Sequence, residues 1–180
     1  IISPWNYPFQ LSLLPAMSAF ASGNNVILKP SEHTPSTSNL VRSIVSEIFS
    51  ENIFSVIEGD AGVATELLKL KWDYIFFTGS VKIGKIVAKA AAVNLTPTTL
   101  ELGGKSPAII DDTVNLKLVS KRIVWGKFLN SGQTCVAPDY LIVYDSVKDS
   151  LIKELINSIL EAFGEFSENL DSYTSIVNES

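Results

Sequence analysis

The sequence predicts an α/β fold built on a largely parallel sheet, followed by part of a second α/β region. Three observations predict it. Short runs of β-branched and aromatic residues alternate with longer stretches of helical periodicity. Turns rich in glycine and proline separate these runs. The composition, 46% hydrophobic and 18% charged over 180 residues, is that of an ordinary globular chain with a substantial core.

Four apolar runs are predicted as strands, and helical stretches join the first three of them. The runs are Val26-Ile27-Leu28, residues 54–57, residues 74–77 and Ala108-Ile109-Ile110. Strands that alternate with helices in this way are typical of right-handed βαβ units and a parallel sheet.

Helical periodicity fills the intervals between these strands. Apolar residues over 40–48 recur at helical spacing, with Thr34 as the N-cap and Pro35 in the first turn. A second helix is expected over 61–70. A third follows the turn at 78–80, and one side of it carries Ile83, Ile86 and Val87.

The character of the chain changes after Ala92. Residues 94–107, NLTPTTLELGGKSP, are rich in Thr, Gly and Pro and predict a crossing between domains. We therefore predict one domain over 1–98 and a second over 99–180. The second is expected to contain a helix over 116–129, a strand over 140–144 and a helix over 147–163.

Charge and cysteine content limit the possible partners and compartment. The net charge of −5 and the lack of Lys and Arg clusters argue against a surface for nucleic acid or anionic membrane. One cysteine cannot form an internal disulfide, so we expect a reducing compartment, the cytoplasm. His33 has no Cys or His partner at ligand spacing, and no metal site is predicted.

The two ends of the chain carry expectations of their own. Residues 1–23 are apolar, but three prolines interrupt them and no basic region precedes them, so we interpret them as buried protein. The sequence does not begin with Met and stops without a closing element, so we expect a section of a longer chain.

The stretch FTGSVKIGK over 77–85 is a candidate phosphate site. Gly79 and Gly84 follow a predicted strand and open a helix, and the backbone amides at a helix N-terminus favour an anion such as a dinucleotide pyrophosphate. The pattern is neither GxGxxG nor GxxxxGK[ST], and a glycine-assisted turn without a ligand is the alternative.

Lys29 and Glu32, in VILKPSE, follow the first predicted strand. Ligands of open α/β sheets collect at the carboxyl ends of the strands, where a Lys and a Glu can hydrogen-bond ribose hydroxyls. A solvated Lys-Pro loop is the alternative.

Three further residues are candidates for chemistry. Glu101 stands among apolar neighbours before a Gly-Gly pair, which favours a general base, although a capping or ion-paired Glu is the alternative. Cys135, the only cysteine, lies among small and polar residues, and it is either a nucleophile or an inert core residue. Asn6, between two prolines, is either an oxyanion donor or a turn residue.

Several motifs, in their order and spacing, resemble the aldehyde dehydrogenase family. They are PWNYPF over 4–9, LKPSE over 28–32, FFTGS over 76–80, LELGGKSP over 100–107 and NSGQTC over 130–135. The last motif continues as CVAPDY over 135–140, which resembles the class 3 branch. The chain thus resembles a central section of a class 3-like aldehyde dehydrogenase.

This resemblance implies a fold and a set of catalytic roles. It implies part of a Rossmann-like NAD(P)-binding domain over 1–98 and the truncated N-terminal part of a catalytic thiol domain over 99–180. Cys135 is implied as the nucleophile that forms a thiohemiacetal and then a thioester. Glu101 is implied as the base that activates the hydrolytic water, and Asn6 as the oxyanion donor.

The resemblance also implies the ligands. NAD is the implied cofactor, with NADP as an alternative, and Lys29 and Glu32 would contact its adenosine ribose. The residues implied along the rest of the dinucleotide are Gly79, Ser80, Val81, Lys82, Ile83 and Gly84. The implied substrates are medium-chain or long-chain aliphatic or aromatic aldehydes. The full-length parent is expected to be a homodimer, and this segment encodes no membrane attachment.

Two other functions stay open at this point. The chain could be a dehydrogenase-derived domain that serves only as a structural or binding module. It could also be a thiol esterase that uses Cys135 and Glu101 without a redox cofactor. NADH formation from an aldehyde, ester hydrolysis alone, or neither activity distinguishes the three hypotheses.

Overall fold

A computed structural model of the chain describes residues 1–165 and 173–178. The chain divides into two compact units, Ile1–Gly103 and Gly104–Ser180, and each is described by itself. The first unit extends beyond the boundary predicted after residue 98, because residues 98–102 form a strand of its sheet. No helix in the described residues is both long and apolar enough to span a bilayer.

The first unit alternates helices and strands along the chain. Its elements are α1 (Gln10–Ala21), β1 (Val26–Leu28), α2 (Pro35–Ile48), β2 (Phe54–Val56), α3 (Ala61–Leu68), β3 (Ile75–Gly79), α4 (Val81–Val93) and β4 (Thr98–Leu102). The predicted strands and the three predicted helices, α2, α3 and α4, are confirmed within a few residues of their expected bounds, whereas α1 was not predicted. β4 is an addition, because its threonine-rich and proline-flanked sequence was interpreted as a connection.

The strands of the first unit are joined into one parallel arrangement by residues 1–3. β1 pairs in parallel with β2, and β3 pairs in parallel with β4. Ile2 lies between the two pairs and forms parallel bridges to Lys29 and Phe77. Its N–H donates to the Phe76 carbonyl at 2.8 Å, and its carbonyl accepts from Thr78 N–H at 3.0 Å. The spatial order is therefore β2, β1, residues 1–3, β3, β4.

Two apolar clusters form the core of this unit. One joins α1, β1, α2 and β2 around the buried residues Ala16, Val26, Leu28, Val41, Val45 and Phe54. The other joins α4 and β3 around Ile75, Phe77, Val87 and Ala91. Ile1 packs against the first cluster and Ile2 against the second. Successive residues of an extended chain point to opposite faces of a sheet, so Ile1 and Ile2 place the two clusters on opposite sides. Helices therefore cover both faces of this sheet.

Two expectations about apolar residues were wrong in part. On α4, Val87 is 1% exposed, whereas Ile83 and Ile86 are 44% and 52% exposed. The small residues Gly84 and Ala91 take the buried side instead, since they let the helix approach the sheet closely. In the opening segment, predicted as buried, α1 buries Ala16 but leaves Met17 64% exposed.

The second unit contains a parallel pair of strands and two helices. They are β5 (Ser106–Ile110), α5 (Leu116–Phe128), β6 (Pro138–Val143) and α6 (Lys148–Phe163). These elements confirm the predicted strands and helices, and β5 pairs with β6 through Ile109 and Ile142. Ser120 on α5 and Ser158 on α6 are both buried. The predicted second domain also covers residues 166–172 and 179–180, which lie outside the described residues.

Gly84 and Gly126 form a matched pair of glycines inside helices. A Cβ added at Gly84 would lie 2.6 Å from Leu102 Cδ2, whereas one at Gly126 would meet Pro138 Cδ at an ordinary 3.5 Å. We expect Gly126→Ala to raise the free energy of unfolding by about 0.5–1 kcal/mol, because alanine favours the helix.

The same substitution at Gly84 is expected to lower that free energy. Overpacking typically lowers the free energy of unfolding by about 1–3 kcal/mol. The higher helix propensity of alanine offsets only part of that loss. Urea denaturation of the chain followed by circular dichroism measures both variants. A Gly84→Ala variant as stable as Gly126→Ala would show that α4 does not pack so closely on Leu102.

Candidate active site

The carboxyl ends of the parallel strands meet at one edge of the first unit. Ile2 is in register with Lys29 and Phe77, and Thr78 is in register with Glu101. The chain therefore brings several predicted site residues to this edge: Asn6, Lys29, Glu32, Ser80 and Glu101. Ligands of open α/β sheets collect at such an edge.

Lys29 and Glu32 form an ion pair at the end of β1. Lys29 is 3% exposed, and its Nζ donates to Glu32 Oε2 at 2.8 Å. A lysine is rarely buried unless its charge is paired, so Glu32 explains how Lys29 is accommodated. The predicted solvated loop does not describe Lys29, because its side chain lies inside the unit.

The ion pair lowers the pKa of Glu32. Desolvation by partial burial alone would raise the pKa of Glu32. The hydrogen bond from Lys29, a backbone hydrogen bond and the charges of Lys29 and His33 outweigh that effect and lower the pKa below its ordinary value of 4.5. The stabilisation from this carboxylate is present above the ordinary value and is lost as the pH falls through the lowered pKa.

The turn between β3 and α4 has the geometry of a capped helix N-terminus. Ser80 is the N-cap, and its Oγ accepts a hydrogen bond from Ile83 N–H at 3.3 Å. The N–H groups of Val81 and Lys82 belong to the first turn, where a helix offers no backbone acceptor. The side chains of all three residues of this first turn, Val81, Lys82 and Ile83, are exposed.

Packing explains both glycines of this turn. A Cβ at Gly79 would lie 2.6 Å from Phe77 Cζ, and one at Gly84 would collide with Leu102. Gly84 therefore allows α4 to approach β4, and Gly79 leaves room for the Phe77 ring within β3. Taken by themselves they carry no evidence for a ligand, and their place at a dinucleotide stays a prediction.

Asn6 lies in the loop between residues 1–3 and α1. A hydrogen bond of 2.7 Å between the hydroxyls of Ser3 and Ser12 connects the two ends of this loop. Both serines are buried, and Ser12 is fully inaccessible. This buried pair ties the loop of Asn6 to α1. The two serines were not predicted as contributors, because their contact spans a loop whose shape the sequence does not reveal.

Glu101 lies on β4, in register with Thr78. The prediction that its apolar neighbours surround the carboxylate was wrong, because the Glu101 side chain is exposed. Alternation along the strand explains the difference: Leu100 and Leu102 pack against the cluster around Phe77, while Glu101 points to the opposite face. An exposed carboxylate is available to water, as a base for hydrolysis requires.

Cys135 lies in the second unit, in the loop between α5 and β6. Its side chain is exposed, so the alternative of an inert core cysteine was wrong. The loop begins with a turn at Leu129–Gly132 and continues through a hydrogen bond from Ala137 N–H to the Thr134 carbonyl at 3.1 Å. The residues around the thiol are small or polar, as expected for a sulfur that other molecules reach.

Two residues support the backbone of this loop: Gly104, which belongs to the Gly-Gly pair predicted to let another backbone approach closely, and Gln133, whose role was not predicted. A Cβ added at Gly104 would lie 3.1 Å from the Cys135 carbonyl oxygen, so Gly104 leaves room for the cysteine backbone. Gln133 hydrogen-bonds with its side chain to Asn130, Ser175 and Val177. The motif NSGQTC contains Gln133, but its partners lie far along the chain and have no motif of their own.

Comparisons with known proteins agree with the fold and the motifs. The model of the aldehyde dehydrogenase family matches residues 1–175. The chain is 50% identical over 178 residues to 4,4'-diaponeurosporen-aldehyde dehydrogenase of Staphylococcus aureus, and 44% identical over 179 residues to the dimeric NADP-preferring aldehyde dehydrogenase of Mus musculus. A substrate-bound structure of Staphylococcus aureus AldH superposes with a TM-score of 0.92 at 50% identity and covers 99% of this chain.

These alignments cover only part of each relative. The chain spans 39% of the Staphylococcus aureus protein, 40% of the mouse protein and 39% of the superposed structure. In all three, 99% of this chain is aligned. The similarity therefore includes every predicted site residue from Asn6 to Cys135.

Gly103 and Gly104 provide a matched test of the room around Cys135. Gly104→Ala is expected to press on the Cys135 carbonyl and to lower the free energy of unfolding by about 1 kcal/mol or more. It is also expected to change the rate of Cys135 alkylation by iodoacetamide, because the cysteine backbone must shift. A methyl group at Gly103 would meet open space, so Gly103→Ala should change neither quantity.

Alkylation followed by mass spectrometry reports on a single site, since Cys135 is the only cysteine of the chain. Equal alkylation rates and equal stabilities for the two alanine variants would contradict the close contact between Gly104 and Cys135.

Proposed function

Because the chain belongs to the aldehyde dehydrogenase family, we propose that the complete protein oxidises aldehydes to carboxylic acids with a nicotinamide dinucleotide. The observation that carries this proposal is the match of the family model over 1–175, a span that contains Cys135, Glu101 and Asn6. The exposed position of Cys135 in a loop of small residues supports its role as the nucleophile.

The residues at the sheet edge fit the proposed cofactor chemically. Lys29 Nζ has three N–H donors and uses one on Glu32, while the Glu32 carboxylate can accept further hydrogen bonds from ribose hydroxyls. The Ser80 hydroxyl and the amides of Val81 and Lys82 would hold the pyrophosphate. NAD is the proposed cofactor and NADP the alternative, since the similar mouse protein is named NADP-preferring. When bound, the oxidised nicotinamide accepts the hydride that leaves the aldehyde carbon.

The proposed chemistry begins at Cys135. Its thiolate attacks the aldehyde carbon, and a carbon–sulfur bond forms as the carbonyl oxygen takes the negative charge. The Cys135 backbone N–H and the Asn6 side-chain amide would donate to this oxyanion, and one such donor is worth about 2.7–4 kcal/mol of barrier. Loss of hydride from the same carbon leaves Cys135 as a thioester.

Glu101 is the proposed base for the second half of the reaction. Its carboxylate takes a proton from a water molecule, whose oxygen then attacks the thioester carbon. The carbon–sulfur bond breaks, the acid leaves and Cys135 returns to its thiolate. The exposed side chain of Glu101 supports this role, because a base for hydrolysis must contact water.

Substrate class and assembly are also part of the proposal. The resemblance of CVAPDY over 135–140 to the class 3 branch supports medium-chain or long-chain aliphatic or aromatic aldehydes as substrates. The similar Staphylococcus aureus protein is named for the aldehyde 4,4'-diaponeurosporen-aldehyde, and the similar mouse protein is named dimeric. We accordingly propose a small-molecule aldehyde as substrate and a homodimer as the state of the complete protein.

Replacement of the nucleophile tests the proposed function. In a complete chain of the length of its relatives, Cys135→Ser is expected to abolish both NADH formation from an aldehyde and ester hydrolysis, each by on the order of a thousandfold or more. Both reactions pass through an acyl group on the same sulfur. Val93→Ala is the control, because Val93 is 82% exposed at the end of α4, outside all of the motifs, and its replacement should leave both rates unchanged.

Other outcomes would favour the other hypotheses. Ester hydrolysis without NADH formation in the unsubstituted protein would indicate a thiol esterase. A folded complete protein with neither activity would indicate a structural or binding module. Activity that survives Cys135→Ser would remove Cys135 from the mechanism.

A further inference from the structure

The loop that carries Cys135 has a backbone conformation that its own sequence does not favour. Three consecutive residues have positive φ: Asn130 at 52°, Ser131 at 54° and Gly132 at 75°. Glycine adopts this left-handed region freely and asparagine tolerates it, but serine rarely occupies it. The conformation therefore depends on contacts that hold the loop in place.

The Gln133 side chain supplies three of these contacts. Its Nε2 donates to the Asn130 carbonyl at 3.0 Å and to the Ser175 carbonyl at 3.3 Å. Its Oε1 accepts from Val177 N–H at 3.0 Å. One amide group thus closes the loop on itself and joins it to a segment more than forty residues further along the chain.

A second side chain makes the same connection. The Ser131 hydroxyl donates to the Thr174 carbonyl. Ser131 and Gln133, the residues on either side of Gly132, therefore both hydrogen-bond to the segment 174–177. Gly132 itself has no room for a side chain, because a Cβ would lie 3.0 Å from the Lys127 carbonyl oxygen. Hydrogen bonds to the segment 174–177 thus fix the conformation of the loop. Gln133 is only two residues before Cys135.

We propose that Gln133 is a positioning residue for Cys135, an inference that rests on the proposed role of Cys135 as the nucleophile. An attacking atom must be held near its bonding distance and direction, and a displacement of about 1 Å can lower a rate by as much as 10²-fold. Gln133 does not take part in the chemistry. It fixes the loop from which the sulfur attacks.

The amide group is specific for this task. Two of its hydrogen bonds need an N–H donor and one needs an acceptor, and among side chains of this length only glutamine offers both. Gln133→Glu retains the oxygen that accepts from Val177 N–H. Its second carboxylate oxygen replaces Nε2 and would face the carbonyl oxygens of Asn130 and Ser175 without a proton to donate. Gln133→Met retains the length of the side chain and loses all three hydrogen bonds.

Single-turnover kinetics of the complete enzyme test the proposal. With enzyme in excess over aldehyde, the rate constant of NADH formation reports on attack and hydride loss, and the amplitude reports on the amount of competent enzyme. We expect Gln133→Met and Gln133→Glu to lower the rate constant about tenfold or more with little loss of amplitude. Gln10→Met, the same change at an exposed glutamine of α1, should leave both unchanged.

The possible results separate positioning from mere stability. A lower amplitude with an unchanged rate constant in the Gln133 variants would overturn the proposal, because it indicates a loss of folded enzyme only. Wild-type values of both quantities would overturn it as well. Failure of the proposed function gives a different result, since single-turnover NADH formation would then survive Cys135→Ser.

A milder variant decides the question if the Gln133 variants do not fold. Ser131→Gly removes one hydrogen bond to Thr174, and glycine adopts the positive φ without strain. We expect its single-turnover rate constant to fall about threefold, in line with the loss of one of the connections to 174–177. An unchanged rate constant in this variant would overturn the proposal.

Discussion

The candidate site of the first unit depends on the hydrogen bonds that residues 1–3 make with two strands at once. Lys29 N–H donates to the Ile1 carbonyl at 2.9 Å, and Ser3 N–H donates to the Lys29 carbonyl at 3.1 Å. On the other side, Ile2 exchanges hydrogen bonds with Phe76 and Thr78. Without this segment β1 and β3 would not be neighbours, and the residues that follow them would have no common edge.

This register has chemical consequences. It sets the Lys29–Glu32 ion pair and the helix N-terminus at Ser80 at the same edge of one sheet. The loop of Asn6 leaves from the same edge and is tied back by the buried serine pair. A short backbone pairing thus brings the ion pair, the capped helix and the loop of Asn6 to one edge of the sheet, where we propose that the dinucleotide binds.

Much of this architecture was predictable because the governing signals are local. β-branched runs and helical spacing identified the strands and helices, and Thr34 and Pro35 marked the start of α2. β4 was not identified, because its threonines and flanking proline are also typical of a connection. The exposure of Ile83 and Ile86 was not predictable either, since the close approach of Gly84 to Leu102 decides which side of α4 faces the sheet.

The candidate site shows the same limit more clearly. Motifs identified Cys135, Glu101 and the Lys29–Glu32 pair, but they did not predict that Glu101 points away from its apolar neighbours. Gln133 has partners at Ser175 and Val177, and no periodicity or spacing in the sequence connects them. Contacts between segments far apart in the chain are set by tertiary structure, so a linear pattern contains no signal for them.

The central chemical claim is that Cys135 carries an acyl group that Glu101 helps water to remove. Mass spectrometry of a complete Glu101→Gln enzyme, quenched during turnover of an aldehyde with NAD, tests it most directly. The account predicts that the peptide containing Cys135 accumulates with the added mass of the acyl group. It also predicts that the unsubstituted enzyme shows little of this species. An adduct on another residue, or normal turnover without any adduct on Cys135, would contradict the account.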